Sequence, residues 1–278
     1  MTIAASGNQY RTDPRGGTPE RPWALRFDGA NGQAAVTVSG GGHERVARIA
    51  WSRDIGNSVA RAGEILHPLE RDYFDQVSSD RRRLSFLLGR HAAKQALAVA
   101  EPITRAAIIP GAMGQPVLNE GGSTEISISH DDQLACAVAA PTVTPIAVDL
   151  ERAACNRAEI MRAQMSRCEQ GVGDRLGVDT KFWGTAFWTA KEALAKLLRC
   201  GHGCRFEVLE VAAMEISGAS FDGRYRHFPQ YRFVGWTPLP GYVVALALPR
   251  ALTVAMGQAI AADGRSHAAA SIEHDVTT

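Results

Sequence analysis

The chain is short of the features that would settle a function from composition. Its 278 residues carry 30 Lys and Arg against 29 Asp and Glu, a formal net charge of +1. No global field therefore draws it to nucleic acid or to a membrane surface, and any basic site has to be local. The five cysteines, at 136, 155, 168, 200 and 204, are an odd set without the spacing of a disulfide framework, and they read as reduced thiols of a cytoplasmic protein. The segment "CGHGC" at 200 to 204 has no second Cys or His cluster at zinc-finger spacing to complete four ligands. No stretch offers the roughly 18 uninterrupted apolar residues of a membrane span, and the opening "MTIAASGNQYRTDPRGGTPERPW" lacks the apolar centre of a signal peptide. Solenoid-like repeats are absent, as is a Ser-His-Asp or Cys-His arrangement for nucleophilic catalysis.

What is present is a globular composition, 45% hydrophobic and 21% charged. Residues 1–22 are rich in Gly, Pro, Arg and Thr, and the last stretch, "ADGRSHAAASIEHDVTT" (262–278), is polar and rich in small residues; mobile tails are expected over 1–22 and 253–278, around a fold running from Trp23 to about Leu252. Two segments have helical periodicity. In "DRRRLSFLLGRHAAKQALAVA" (80–100), Leu84, Leu87, Leu88 and Ala92 form an apolar stripe, while Arg83, Arg90 and Lys94 share another face. In "FWGTAFWTAKEALAKLLRC" (182–200), Trp188, Glu192 and Lys196 recur every four residues. Strands are expected at 125–129, 134–140, 145–151, 205–216, 231–236 and 242–248, the last two as a hairpin around "TPLPG". This order predicts an α+β fold in two halves, 23–142 and 143–252, that meet between residues 141 and 145.

The run "IAVDLE" (146–151) ends in two carboxylates. A strand alternates faces with a period of two, so Asp149 and Glu151 project together while Val148 and Leu150 point the other way. Such a pair suits either a strand fraying into solvent or a divalent-metal site with a third ligand elsewhere. His130, ending "ISISH", and the helical pair Glu192 and Lys196 complete the residues of interest. Each alone is weak, since Glu and Lys at i and i+4 form an ordinary surface pair worth about 0.3–0.5 kcal/mol.

Taken in order, "GQP" (114–116), "ISISH" (126–130), "IAVDLE" (146–151) and "FWTAKEALAKLLRCGHG" (187–203), with "LLGRHAAKQAL" upstream, resemble the 4′-phosphopantetheinyl transferases of the surfactin-synthetase type, the holo-carrier-protein synthases. The resemblance implies two similar α+β halves about a pseudo-twofold axis, acting as a monomer. It implies transfer of 4′-phosphopantetheine from coenzyme A to a serine of an apo acyl, peptidyl or aryl carrier protein, with release of 3′,5′-ADP. It further implies Mg²⁺ on Asp149, Glu151 and Glu192, with Glu192 also as the base and Lys196 beside the phosphates. Arg90, Lys94 and His130 would line the coenzyme A site. Residues 152–182, with Ile160, Met161 and Met165 at helical spacing, are where a carrier would dock by the same analogy, or a packed core. The chain departs from the family's usual pattern at Gln115, where a Lys or Arg is common, at Asp131 and Asp132, and at Cys204. Two other readings are another metal-dependent phosphohydrolase, and a degenerate module that binds coenzyme A or a carrier without transfer.

Overall fold

The computed structural model describes residues 21–56, 60–97, 106–153 and 155–261, with the side chains at 155–158, 202 and 261 excepted. In chain order the elements are β1 (Asn31–Gly40), β2 (His43–Ser52), α1 (Ala62–Ile65), α2 (Pro68–Gln76), α3 (Asp80–Leu97), β3 (Ile108–Pro110), β4 (Pro116–Leu118), β5 (Thr124–His130), β6 (Ala135–Pro141) and β7 (Ala147–Arg152). There follow α4 (Cys155–Ala163), α5 (Arg167–Asp174), α6 (Thr180–Leu197), β8 (Val211–Ser217), β9 (Ser220–Tyr225), β10 (Tyr231–Trp236), β11 (Tyr242–Pro249), β12 (Thr253–Met256) and β13 (Ile260–Ala261).

These elements stack in four layers. One sheet runs β12-β1-β2-β6-β5, the other β7-β11-β10-β9-β8, and all their pairings are antiparallel. Their inner faces share one core, in which Val36, Ile49, Trp51 and Val138 meet Val148, Trp236, Val244 and Leu246. On the outer faces, α3 covers the first sheet through Leu87, Leu88, Ala92 and Ala96, and α6 covers the second through Trp183, Phe187, Ala190 and Leu194. Alternation along each strand makes this possible: Cys136 and Val138 face one core, Ala135 and Ala137 the other. Because β11 is covered on both faces, "YVVALALP" reads as a continuous apolar run.

The sheets adjoin along β5 and β7, and side chains replace a backbone ladder there. Ser127 Oγ accepts from Val148 N at 3.0 Å, and Ser129 Oγ donates to Asp149 Oδ1 at 2.8 Å. This seam lies between the two long helices and sets the position of the site.

The hairpin β1–β2 is not among the expected strands, because small and charged residues make its alternation faint. Ala34, Val36 and Val38 alternate inward, and Gly41 and Gly42 link the strands with φ of +60° and +77°, the positive values that a two-residue hairpin turn requires. The expectation of a mobile tail from residue 253 is corrected: Thr253–Ala261 supplies β12 and β13, both paired with β1. The reason is physical, since β1 would otherwise present an open edge and Val254 fills the shared core. Residues 262–278 and 1–20 lie outside the described residues. The strand expected over 205–216 is also corrected, because Phe206–Leu209 forms a 3₁₀ turn and the strand starts at Val211. Residues 98–100 of the expected first helix fall outside the described chain.

Candidate functional site

On β7, Val148 and Leu150 enter the shared core, so Asp149 and Glu151 emerge on the face that α6 covers. Asp149 is nearly buried, and its Oδ1 is held by Ser129 Oγ and by Lys196 Nζ at 2.6 Å. Lys196 also donates to the carbonyls of Ile128 at 3.1 Å and Val148 at 3.3 Å. An ammonium has three protons, so this lysine clamps α6 onto both edge strands of the seam. Asp149 Oδ2, by contrast, is buried with no hydrogen-bond partner. An atom in that condition is costly unless something outside the protein satisfies it.

Glu192 lies one turn before Lys196 on α6, and both line a cavity of about 560 Å³ floored by Ile126, Ile128 and Ala147. Trp188, a further turn away, packs on Phe206 with ring centroids 4.5 Å apart and anchors this stretch of helix. Asp149 and Glu151 do not line the cavity. Among the described residues, no group of three or more His, Cys, Asp or Glu side chains is gathered closely enough to hold a metal ion. Asp149 and Glu151 on β7 and Glu192 on α6 therefore do not form a closed ligand set.

A second cavity, of about 530 Å³, shares one lining residue with the first, Gly114 in the turn between β3 and β4. Its wall on α3 is the row Arg82, Phe86 and Arg90, spaced four apart, with Ser85 and His130 beside it. Arg90 lies over the Phe86 ring at 4.4 Å and donates to Ile108 O at 3.2 Å. Its Nε is 3.1 Å from Glu70 Oε1, an ion-pair distance without hydrogen-bond alignment. The side chain of Arg82 is exposed and has no partner among the described residues. His130 sits over α3 only because residue 89 is glycine: a Cβ there would stand 2.5 Å from the imidazole. Its Nδ1 is 2.6 Å from Ser85 Oγ. Although His130 keeps an exposed edge, loss of solvent beside the cleft wall, then the charges of Lys196 and Arg90, hold its pKa down at about 4, against an opposing pull from Asp131.

Lys94 is misplaced by the sequence reading. It is 1% exposed, with Nζ on Glu70 Oε2 and on Ile65 O, both at 2.6 Å. Burial, opposed by Glu70, lowers its pKa, and it lines neither cavity. The face it seemed to share with Arg83 and Arg90 turns into the core at the helix's C-terminal end. Arg83 is likewise spent, on Val77 O and the Phe74 ring. Arg82 is the cation the sequence reading missed, and its signal was the i, i+4, i+8 row with Phe86 and Arg90.

The unexpected acids are accounted for. Burial works against Asp131, but backbone N–H groups of Gln133 and Leu134, the Tyr242 hydroxyl and Arg152 outweigh it and hold its pKa below the usual range. Asp132 pairs with Arg81 at 2.8 Å. Gln115 accepts from Met113 N at 2.9 Å and so secures its own turn.

Two family models match the chain. Residues 70–140 match the 4′-phosphopantetheinyl transferase N-terminal domain, and residues 145–247 match the 4′-phosphopantetheinyl transferase superfamily. No curated protein matches. None of the described helices is long and apolar enough to cross a membrane. The chain belongs to the 4′-phosphopantetheinyl transferase superfamily, whose members transfer phosphopantetheine from coenzyme A to carrier proteins.

Proposed function

We propose that this transferase is a monomeric, Mg²⁺-dependent holo-carrier-protein synthase that modifies a serine of an apo acyl, peptidyl or aryl carrier protein in the cytoplasm. The observation that carries the reading is a pair of cavities walled in common by Gly114: one presents Arg82, Arg90 and His130, the other Glu192 and Lys196. A ligand with a phosphomonoester at one end and a diphosphate further along matches that division of charge, and coenzyme A has this form.

In this reading Arg82, Arg90 and His130 take the 3′-phosphate, while the diphosphate points toward Lys196. The charge of Lys196 reaches the phosphoryl oxygens although its protons are already committed, so it stabilises developing negative charge electrostatically. Glu192 accepts the proton of the carrier serine as its Oγ bonds to the β-phosphorus. The bond from that phosphorus to the bridging oxygen breaks, and 3′,5′-ADP leaves with the electron pair. Asp149, Glu151 and Glu192 would supply carboxylates to Mg²⁺, an ion that fills the rest of its shell with water and substrate oxygens; of the three, Asp149 has an Oδ2 that is buried and without a hydrogen-bond partner. When bound, the ion would neutralise charge on the diphosphate.

The test is intact mass spectrometry of a panel of apo carrier proteins incubated with the enzyme and coenzyme A, with Mg²⁺ or with a chelator. The expected result is a metal-dependent gain of one phosphopantetheine on at least one carrier class. Glu192→Gln should lower turnover on the order of 10²–10⁴-fold with an unchanged melting temperature. No gain on any carrier would overturn the reading, and a loss below tenfold would remove Glu192 from the catalytic set.

A further inference from the structure

Glu70 is the third residue of α2, where it closes a capping box by accepting from His67 N at 2.8 Å. A helix cap needs nothing more, and capping glutamates normally sit at the surface. This one has a fully buried side chain and carries a second set of partners. Oε2 takes the Lys94 ammonium at 2.6 Å, while Oε1 accepts from Ile108 N at 3.1 Å and faces Arg90 Nε at 3.1 Å. Arg90 also donates to the carbonyl of that same Ile108, at 3.2 Å. The carboxylate and one residue of β3 thus grip the guanidinium from two sides, with the Phe86 ring against its face.

Charge sharpens the point. One carboxylate stands between two cations, and its strong hydrogen bond goes to Lys94, which no ligand in the cavity can reach. Arg90 presents its Nε to Glu70 Oε1 at ion-pair distance, without the alignment of a full hydrogen bond. Two cations against one carboxylate leave a net positive charge, and of the two only Arg90 lines the cavity.

We propose that Glu70 is a positioning residue for recognition of the 3′-phosphate: through Arg90 it sets how strongly the enzyme prefers coenzyme A over its 3′-dephospho form. The proposal rests on the reading that the Arg90 cavity takes that phosphate. Three roles for Glu70 make different predictions for Glu70→Gln. If it acts only through charge, removing a negative group beside Arg90 strengthens phosphate binding, and the preference rises. If it is only a cap and core group, the protein melts earlier and the preference is unchanged. If it positions Arg90, the preference falls although the pocket has become more positive.

The experiment is titration calorimetry of the full chain with coenzyme A and with dephospho-coenzyme A, giving the dissociation constant of the dephospho form divided by that of coenzyme A. Glu70→Gln is expected to lower that ratio by about tenfold, the scale of one misaligned charge-assisted contact. Because the single variant strands Lys94 in the core, Glu70→Gln combined with Lys94→Met is measured alongside; it should recover stability and keep the low ratio. A ratio that is unchanged or raised in a folded variant overturns the proposal and leaves the cavity assignment standing. A wild-type protein with no preference between the two ligands overturns both.

Discussion

Glu70 and Glu169 each occupy the third position of a short helix, close a capping box there, and send the carboxylate inward to a buried lysine on the long helix that follows. Glu70 holds Lys94 and Ile108 N; Glu169 holds Lys191, with both oxygens at 3.0 Å, and Val211 N at 2.9 Å. Both acids and both lysines are essentially inaccessible to solvent. From sequence alone, Lys94 and Lys191 look like surface cations, because nothing in a helical period reveals an acid more than twenty residues upstream. His130 supports a prediction at the same scale. With a free pKa of about 4 it is neutral at pH 7, and a bound phosphate stabilises the imidazolium and raises that value. Binding of 3′,5′-ADP should therefore take up a proton at this ring. Affinity should rise as pH falls through the bound-state pKa and stop gaining below about 4, where the free ring is already charged. Calorimetry in two buffers of different ionisation enthalpy measures the uptake, and His130→Gln should remove this share of it. An unaltered uptake in the variant would place the proton elsewhere.

At the scale of elements, the sequence was legible wherever apolar periodicity was strong and illegible where small residues blurred it. Helices α3 and α6, the strands from β5 to β7 and the hairpin β10–β11 announce themselves through runs such as "LLGRHAAKQAL" and "YVVALAL". The hairpin β1–β2, built largely from Gly, Ala, Ser and charged residues, and β9, "SFDGRY", do not, since alanine and glycine are poor strand formers whose placement is decided by what packs on them. The site was legible as residue types and spacing. Its wiring was not, because the commitment of Lys196 to Asp149 Oδ1 and two carbonyls depends on the seam between β5 and β7, which no local pattern encodes. The seating of α6 depends on Trp183, 1% exposed, which packs against Phe187 and lies where a Cβ on Gly173 of α5 would stand 2.4 Å from the indole. Trp183→Ala should cost about 3–5 kcal/mol in denaturant unfolding. It should also reduce activity more than the unfolded fraction accounts for, as Glu192 and Lys196 ride on the same helix. Activity that simply tracks the folded fraction would show that the site tolerates movement of α6.

The whole molecule is closed by its last described strands. β12 pairs with β1 from Val36↔Met256 to Ser39↔Thr253, and Met256 N donates to Pro22 O at 2.7 Å. The first sheet thus borrows a strand from beyond the second, and the ranges matched by the two family models, 70–140 and 145–247, include neither β1 nor β12. Ending the chain after Pro249 should uncover the length of β1. Size-exclusion chromatography should then show association and scanning calorimetry an earlier transition; a monomeric, equally stable product would mean that β12 is dispensable. There is also a consequence for biosynthesis. Thr253 Oγ1 donates to the carbonyl of Ser39, 214 positions earlier, so a chain emerging residue by residue must carry the N-terminal sheet unfinished while all of the second sheet is translated. Contacts so distant form late and slowly. A strand made before the second sheet is thus among the last to be sealed, and until then the nascent chain exposes an edge able to recruit a neighbour.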